Sequence, residues 1–307
     1  MTTTWAQRRR DRIDDLAGGR SLTAEAFRRL RRNPVAITGA VIVGAFVMIA
    51  VLAPVIAPHS ATEPIPQLQQ DLRPGHIPGP QPGFPLGSDQ LGRDFYSRMI
   101  LASRQTLFVG VFATLLGLLV GLVIGTLAGA FGGWVDTVLM RCTDVLLAIP
   151  SLLLAISVAA LAASASQTTV IIAVAVVSVP IFARLLRGTM LAQRHADHIV
   201  AVTALGVKRT PVVLRHMVPN AIGPVIVQAT LTLATSILDA AALSFLGLGD
   251  ADPARAEWGL MLAQAQTYLD VRPALAFYPA AAIILVALGF TLLGESLREA
   301  LDPKGRR

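Results

Sequence analysis

Long apolar runs separated by polar and basic stretches dominate this chain. Six stand out, at residues 35–57, 106–131, 138–162, 168–186, 221–246 and 274–294. A helix crossing a hydrocarbon core of about 30 Å needs roughly 20 apolar residues, so each run predicts one transmembrane helix. The third run contains Pro150 and the fourth Pro180. Prolines are tolerated in lipid where neighbours satisfy the freed carbonyls, and both are expected to mark kinks. The first run is too long and too far along the chain for a cleaved signal peptide, and reads as a retained span.

Composition agrees with the pattern. Of 307 residues, 54% are hydrophobic and only 15% charged, against about 25% charged in a soluble domain. Mean hydropathy is +0.62. The net charge of +7 would suggest nucleic acid in a soluble protein, but here the basic residues flank apolar runs and report orientation instead. With the N-terminus inside, 20 of the 26 Lys and Arg fall on the cytoplasmic side and six outside, so both termini are expected in the cytoplasm. Cys142 is the only cysteine, which excludes an internal disulfide.

The chain therefore divides into a basic N-terminal segment (1–34), a first span (35–57), an external Pro/Gly-rich loop (58–103), a five-helix membrane domain (104–297) and a cytoplasmic tail (298–307). The external stretch 58–100 has no helical or strand periodicity and predicts a loop. A second external loop at about 247–273 holds Asp250, Asp252, Glu257 and Asp270.

Small residues recur every fourth position in the second span, at Ala113, Gly117, Gly121, Gly125 and Gly129. That spacing keeps them on one face and lets a partner helix approach closely, so the predicted role is packing. Ala36, Ala40 and Gly44 repeat the pattern more weakly in the first span. Asp239 lies inside the fifth run. A carboxylate in lipid faces a cavity or a polar partner, so it either lines a pathway or makes a structural hydrogen bond. Asp136, Arg141 and Asp144 are expected to form interfacial ion pairs.

The segment 188–220 is the most informative. Asp197 is placed to cap a short helix beginning at His198, with Gly206 where that helix stops. Thr210 and Pro211 supply a second cap and a proline at the first helical position. The second short helix is expected to run to about His216 and end at Pro219, with Asn220 capping the fifth span. A loop this long and apolar predicts docking on another protein. His195, His198 and His216 lack the companion ligands of a metal site and read as solvated or interfacial. No phosphate-binding G-x-x-x-x-G-K-[ST] is present, nor a nucleophile elbow or H-E-x-x-H, and neither Ser151 nor Cys142 has a base nearby in sequence.

Several stretches, in order, resemble the C-type permease subunits of dipeptide and oligopeptide ABC importers. They are FPLGSDQLGRDFYSRMILASRQTLFVG (84–110), FGGWVDTVLMRCTDVLLAIPSLLLAI (131–156), LSFLGLG (243–249), WGLMLAQA (258–265) and LLGESLREALDP (292–303). HIVAVTALGVKRTPVVLRHMVPNAIGP (198–224) is similar to the family's ATPase-docking loop, with Ala201, Gly206, His216 and Pro219 matching. Val200 stands where the family usually has Glu, and Val202 where it has Ala.

The resemblance implies an all-α membrane protein of six transmembrane helices, the type I ABC importer permease fold with a cytoplasmic coupling helix. It implies a transport subunit rather than an enzyme, in the bacterial inner membrane. The implied partners are a second homologous permease, two ATP-binding domains that carry the ATP and Mg, and an extracytoplasmic binding protein. His198, Val200, Ala201, Gly206, His216 and Pro219 would form the ATPase-coupling loop. The rival reading, an ion-coupled secondary transporter, predicts midplane ion ligands and inverted repeats; the sequence offers one midspan charge and no such repeat.

Overall fold

A computed structural model describes residues 28–301 except 251 and 253. The basic stretch before residue 28 and the tail beyond 301 lie outside the described residues. Ten helices are labelled here in chain order. They are α1 (Pro34–Ile56), α2 (Pro66–Gln70), α3 (Phe95–Phe131), α4 (Gly133–Ala148), α5 (Ser151–Ala160), α6 (Gln167–Gln193), α7 (Asp197–Ala204), α8 (Val218–Phe245), α9 (Trp258–Ala265) and α10 (Ala274–Leu301). A helical turn at Arg209–Pro211 and a π-helical stretch at Val212–Met217 lead directly into α8.

Among the described residues five continuous helices are long and apolar enough to span a membrane, and α4 with α5, bent by 98° at a short break, together have the length and apolarity of a sixth. The break falls at Pro150, which stands at the N-cap of α5, as its ring constraint predicts. Pro180 does not interrupt α6, which continues from Gln167 to Gln193. The spans are also longer than their apolar cores. α3 begins at Phe95, ahead of the expected boundary at 104, because Asp94 caps it through bonds from the Tyr96 and Ser97 amides.

The most extensive helix pair is α3 with α6. Gly117, Gly121, Gly125 and Gly129 all lie buried on the α3 face that meets α6. A methyl on Gly121 would lie 2.6 Å from Phe182 Cβ, and one on Gly125 2.7 Å from the Ala183 carbonyl. Only glycine permits this approach, and dispersion over the resulting contact is the main attraction between helices in lipid. In α1 the packing face differs from the expected one. Ala40 and Gly44 are exposed, while Ala36, Gly39, Ala50 and Ala53 are buried. Gly39 sits against Gly289 and Leu293 of α10.

The segment between α1 and α3 is built rather than irregular. It contains α2 and three isolated β-bridges, Arg73 with His76, Gln81 with Phe84 and Ser88 with Asp94. A buried ionic cluster fastens it to the bundle. Asp89 accepts from Arg93 Nε at 2.6 Å and lies 3.3 Å from Arg98 Nε. Arg98 donates onward to the Ala61, Ala254 and Arg255 carbonyls. His59 Nδ1 and Ser97 Oγ both reach Asp94 Oδ2. Buried charges persist only when paired and hydrogen-bonded in this way. The second loop likewise carries a helix, α9, whose Gly259 abuts Ala241 of α8 and whose Trp258 donates from Nε1 to the Met99 carbonyl.

Candidate functional site

The segment joining α6 to α8 lies at the end of the bundle where α3 terminates. The start of α1 and the end of α10 line one shared cavity, through Asn33 and Ala300. α7 begins at Asp197, one residue before the expected start. Ala196 is its N-cap and no side chain caps it, so Asp197 is a first-turn residue favoured by the helix dipole rather than a cap. Val200 is consequently the fourth helical residue. The capping-box position, third in the helix, is occupied by Ile199.

α7 ends in a complete Schellman motif. The Gly206 amide donates to the Thr203 carbonyl at 3.0 Å and the Val207 amide to the Val202 carbonyl at 3.4 Å. Gly206 has φ +76°, a conformation that suits glycine because it lacks a Cβ. The next turn starts at Arg209 after Lys208, with no side-chain cap from Thr210. Pro219 does not end a helix. The π-helical stretch passes without interruption into α8, and Pro219 stands at the second position of α8, immediately after that stretch. Asn220 lies inside α8 and caps nothing; its Nδ2 is 3.4 Å from His198 Nε2, linking α7 to α8.

α7 carries apolar residues on two faces. Ile199 is buried against Val212, Val213 and Met217 of the π-helical stretch, together with Phe182, Leu186 and Met190 of α6. On the other side Val200 is 54% and Leu205 82% exposed, with Ala201 and Gly206 exposed beside them. His198 and Pro219 are exposed and His216 is half-buried. The six sequence-predicted loop residues thus share one end of the bundle, but only some of them share a surface.

Asp239 is half-buried in α8 and has no hydrogen bond or ion pair among the described residues. Asp136 and Asp144 pair with α6 rather than with each other or with Arg141. Arg187 grips Asp136 by two bonds of 2.7 Å, and Arg184 pairs with Asp144. Bidentate geometry makes the first the more directional contact.

Charge counting overlooked Glu257. It is buried beside Ser244 Oγ, which donates to it at 3.0 Å. Burial pushes its carboxyl up to about 7; the Ser244 hydrogen bond opposes this and nearby Asp250 adds to it. Arg194 and Arg209 were likewise counted only as topology signals, although both donate to the last carbonyls of α3. No short-range pattern marks either case, because the partners lie 13 to 79 positions away in sequence.

The long apolar helices, with the short α7 outside them, describe a multi-span membrane protein. Comparison with known proteins agrees. Residues 121–307 match the family described as binding-protein-dependent transport system inner membrane component. Residues 21–74 match the N-terminal transmembrane domain of oligopeptide transport permease C. A dipeptide transport system permease protein of Alkalihalophilus pseudofirmus is 40% identical over 91% of this chain and 89% of its own. Glutathione transport system permease proteins of Shigella flexneri and Escherichia coli O157:H7 are 44% and 43% identical, over 91% of this chain and 90% of theirs.

The chain belongs to the family of inner-membrane components of binding-protein-dependent transport systems, and has the type I ABC importer permease fold.

Proposed function

We propose that this permease carries short peptides inward as one of two homologous membrane subunits, driven by two ATP-binding subunits and supplied by an extracytoplasmic binding protein. The relatives named for dipeptide and glutathione transport support a substrate of two or three residues. ATP and Mg belong to the partner subunits, and this chain contributes the pathway and the mechanical link. Both termini face the cytoplasm, which agrees with the excess of Lys and Arg on that side.

The observation that carries the coupling role is the double-faced α7. A short helix outside the spans, already seated by Ile199, would gain nothing from displaying Val200 and Leu205 to water. Those side chains are accounted for if an ATPase groove covers them. Closure of the ATPases around ATP then pushes α7, and the π-helical stretch transmits the push into α8 without a flexible joint. The α3–α6 pair, locked by its glycine stripe, is suited to move as one body. Bistable packing of this kind turns a small displacement into rocking of helices between two states. That Asp239 lies within a span with no hydrogen bond or ion pair among the described residues supports a role for it on the pathway formed with the second permease.

The test is reconstitution of the full complex in vesicles with its binding protein and a labelled dipeptide. Uptake is expected to require ATP, and Leu205→Asp is expected to abolish ATPase assembly while leaving the chain inserted. Uptake by this chain alone in an ion gradient would overturn the proposal. Normal assembly of the Leu205→Asp protein would overturn the docking role.

A further inference from the structure

A helix leaves its last four carbonyls without intrahelical partners. The C-terminal end of α3 gives a complete account of them. The Ala128 carbonyl accepts from the Gly132 amide at 3.1 Å. Arg194 Nη2 reaches the Gly129 and Ala130 carbonyls at 3.2 and 3.4 Å. Arg209 Nη2 donates to the Ala130 carbonyl as well, and to the Phe131 carbonyl at 3.0 Å. Its guanidinium carbon also lies 5.6 Å from the centre of the Phe131 ring. Both cations sit at the negative end of the α3 dipole, where positive charge is favoured. Arg194 immediately precedes the loop into α7, and Arg209 follows shortly after it.

The local backbone is arranged around these contacts. Gly132 adopts φ +65°, and a methyl there would lie 3.2 Å from Arg194 Nη2. Between the α3 terminus, α7 and the π-helical stretch lies a cavity of about 480 Å³, lined by Gly129, Arg194, Ile199, Arg209 and Met217 among others. The cavity separates α7 from the end of α3, and the two arginines, one on each side of α7 in sequence, hold the segment to α3 at the cavity's edge.

We infer that Arg194 and Arg209 are positioning residues that clamp the coupling segment to the end of α3, so that displacement of α7 is carried into the α3–α6 body and not only into α8. This rests on α7 being the ATPase-docking element. Loss of the clamp leaves α7 docked and α8 driven, while α3 lags. ATP is then hydrolysed without the concerted movement of spans that transport needs.

The experiment uses the assembled transporter with Cys142→Ser and spin labels at Leu127 of α3 and Asp197 at the start of α7, both exposed positions outside the proposed docking residues. In the otherwise unaltered protein the distance between labels should stay the same with and without ATP. A nucleotide-dependent change in that distance overturns the inference with no arginine replaced. Changing both arginines to Met keeps the apolar stems and removes the donors. Transport per ATP should then fall roughly tenfold, equivalent to about 1.4 kcal/mol of coupling, with the ATPases still bound and the label distance broadened. The Lys pair, which keeps charge and donors, should recover part of the coupling, and provides the comparison should the Met pair not assemble. Full coupling with an unchanged label distance in the Met pair, or a Lys pair no better coupled than the Met pair, overturns the clamp. Normal ATPase assembly with Leu205→Asp instead overturns the docking reading on which the clamp depends.

Discussion

Replacing Gly206 separates backbone strain from bulk. Gly206 holds φ +76° at the end of α7, and a Cβ built there meets nothing within 4 Å. The cost of a side chain is therefore conformational. For an L-residue in the left-handed region it is about 1–2 kcal/mol, and more for a β-branched one. That is enough to reduce the population of the intact cap by a factor of roughly 5–30. Releasing it breaks the bonds from the Gly206 and Val207 amides and frees the end of α7 from a fixed orientation. Gly206→Val is expected to let ATP hydrolysis proceed while uptake drops, in vesicles where both are measured together. Gly206→Asn, a residue that tolerates the same conformation, is expected to stay near normal. Equal loss in the two variants would show that bulk against a partner matters and the φ argument is wrong.

Packing and titration give two further expectations. Gly121→Ala should lower the stability of the detergent-solubilised protein by about 1–3 kcal/mol, because Phe182 Cβ and the Val179 carbonyl stand in the way. Gly44→Ala, with open space around it, should be neutral, and comparable thermal shifts in both would refute the packing account. Glu257 holds its proton up to about 7 when folded but only to about 4.5 when unfolded, chiefly through burial. The folded state therefore loses stability as pH rises through that window, by about 3 kcal/mol, and levels off above it. Glu257→Gln should remove this slope in pH-dependent unfolding, and an unchanged slope would rule out Glu257 as its source.

The spans were legible because lipid imposes a coarse code. Each crossing needs a long apolar run, and five of the six runs fall on continuous long helices, the third on the bent pair α4–α5. The glycine face of α3 was legible for a similar reason, since a four-residue spacing on a helix can only form one stripe. α1 shows where that reasoning weakens. Its small residues form two overlapping stripes, and only contact with α10 selected Ala36 and Gly39 over Ala40 and Gly44. The helix ends were least legible. Asp197 and Thr210 have the chemistry of caps, but Ala196 and Lys208 occupy those positions, because tertiary packing of Ile199 and Val212 sets where the turns begin.

By itself the sequence determined that the chain crosses a membrane about six times, that Gly206 ends a helix in the segment between the fourth and fifth crossings, and which family it resembles. Hydropathy and glycine stereochemistry are local properties, readable along a single chain. Only the tertiary structure decided that Arg194 and Arg209 converge on one helix end, that Glu257 is buried, and that Asp89, Arg93 and Arg98 form one cluster. Each depends on residues brought together from distant segments, and such proximity is fixed by how the helices pack.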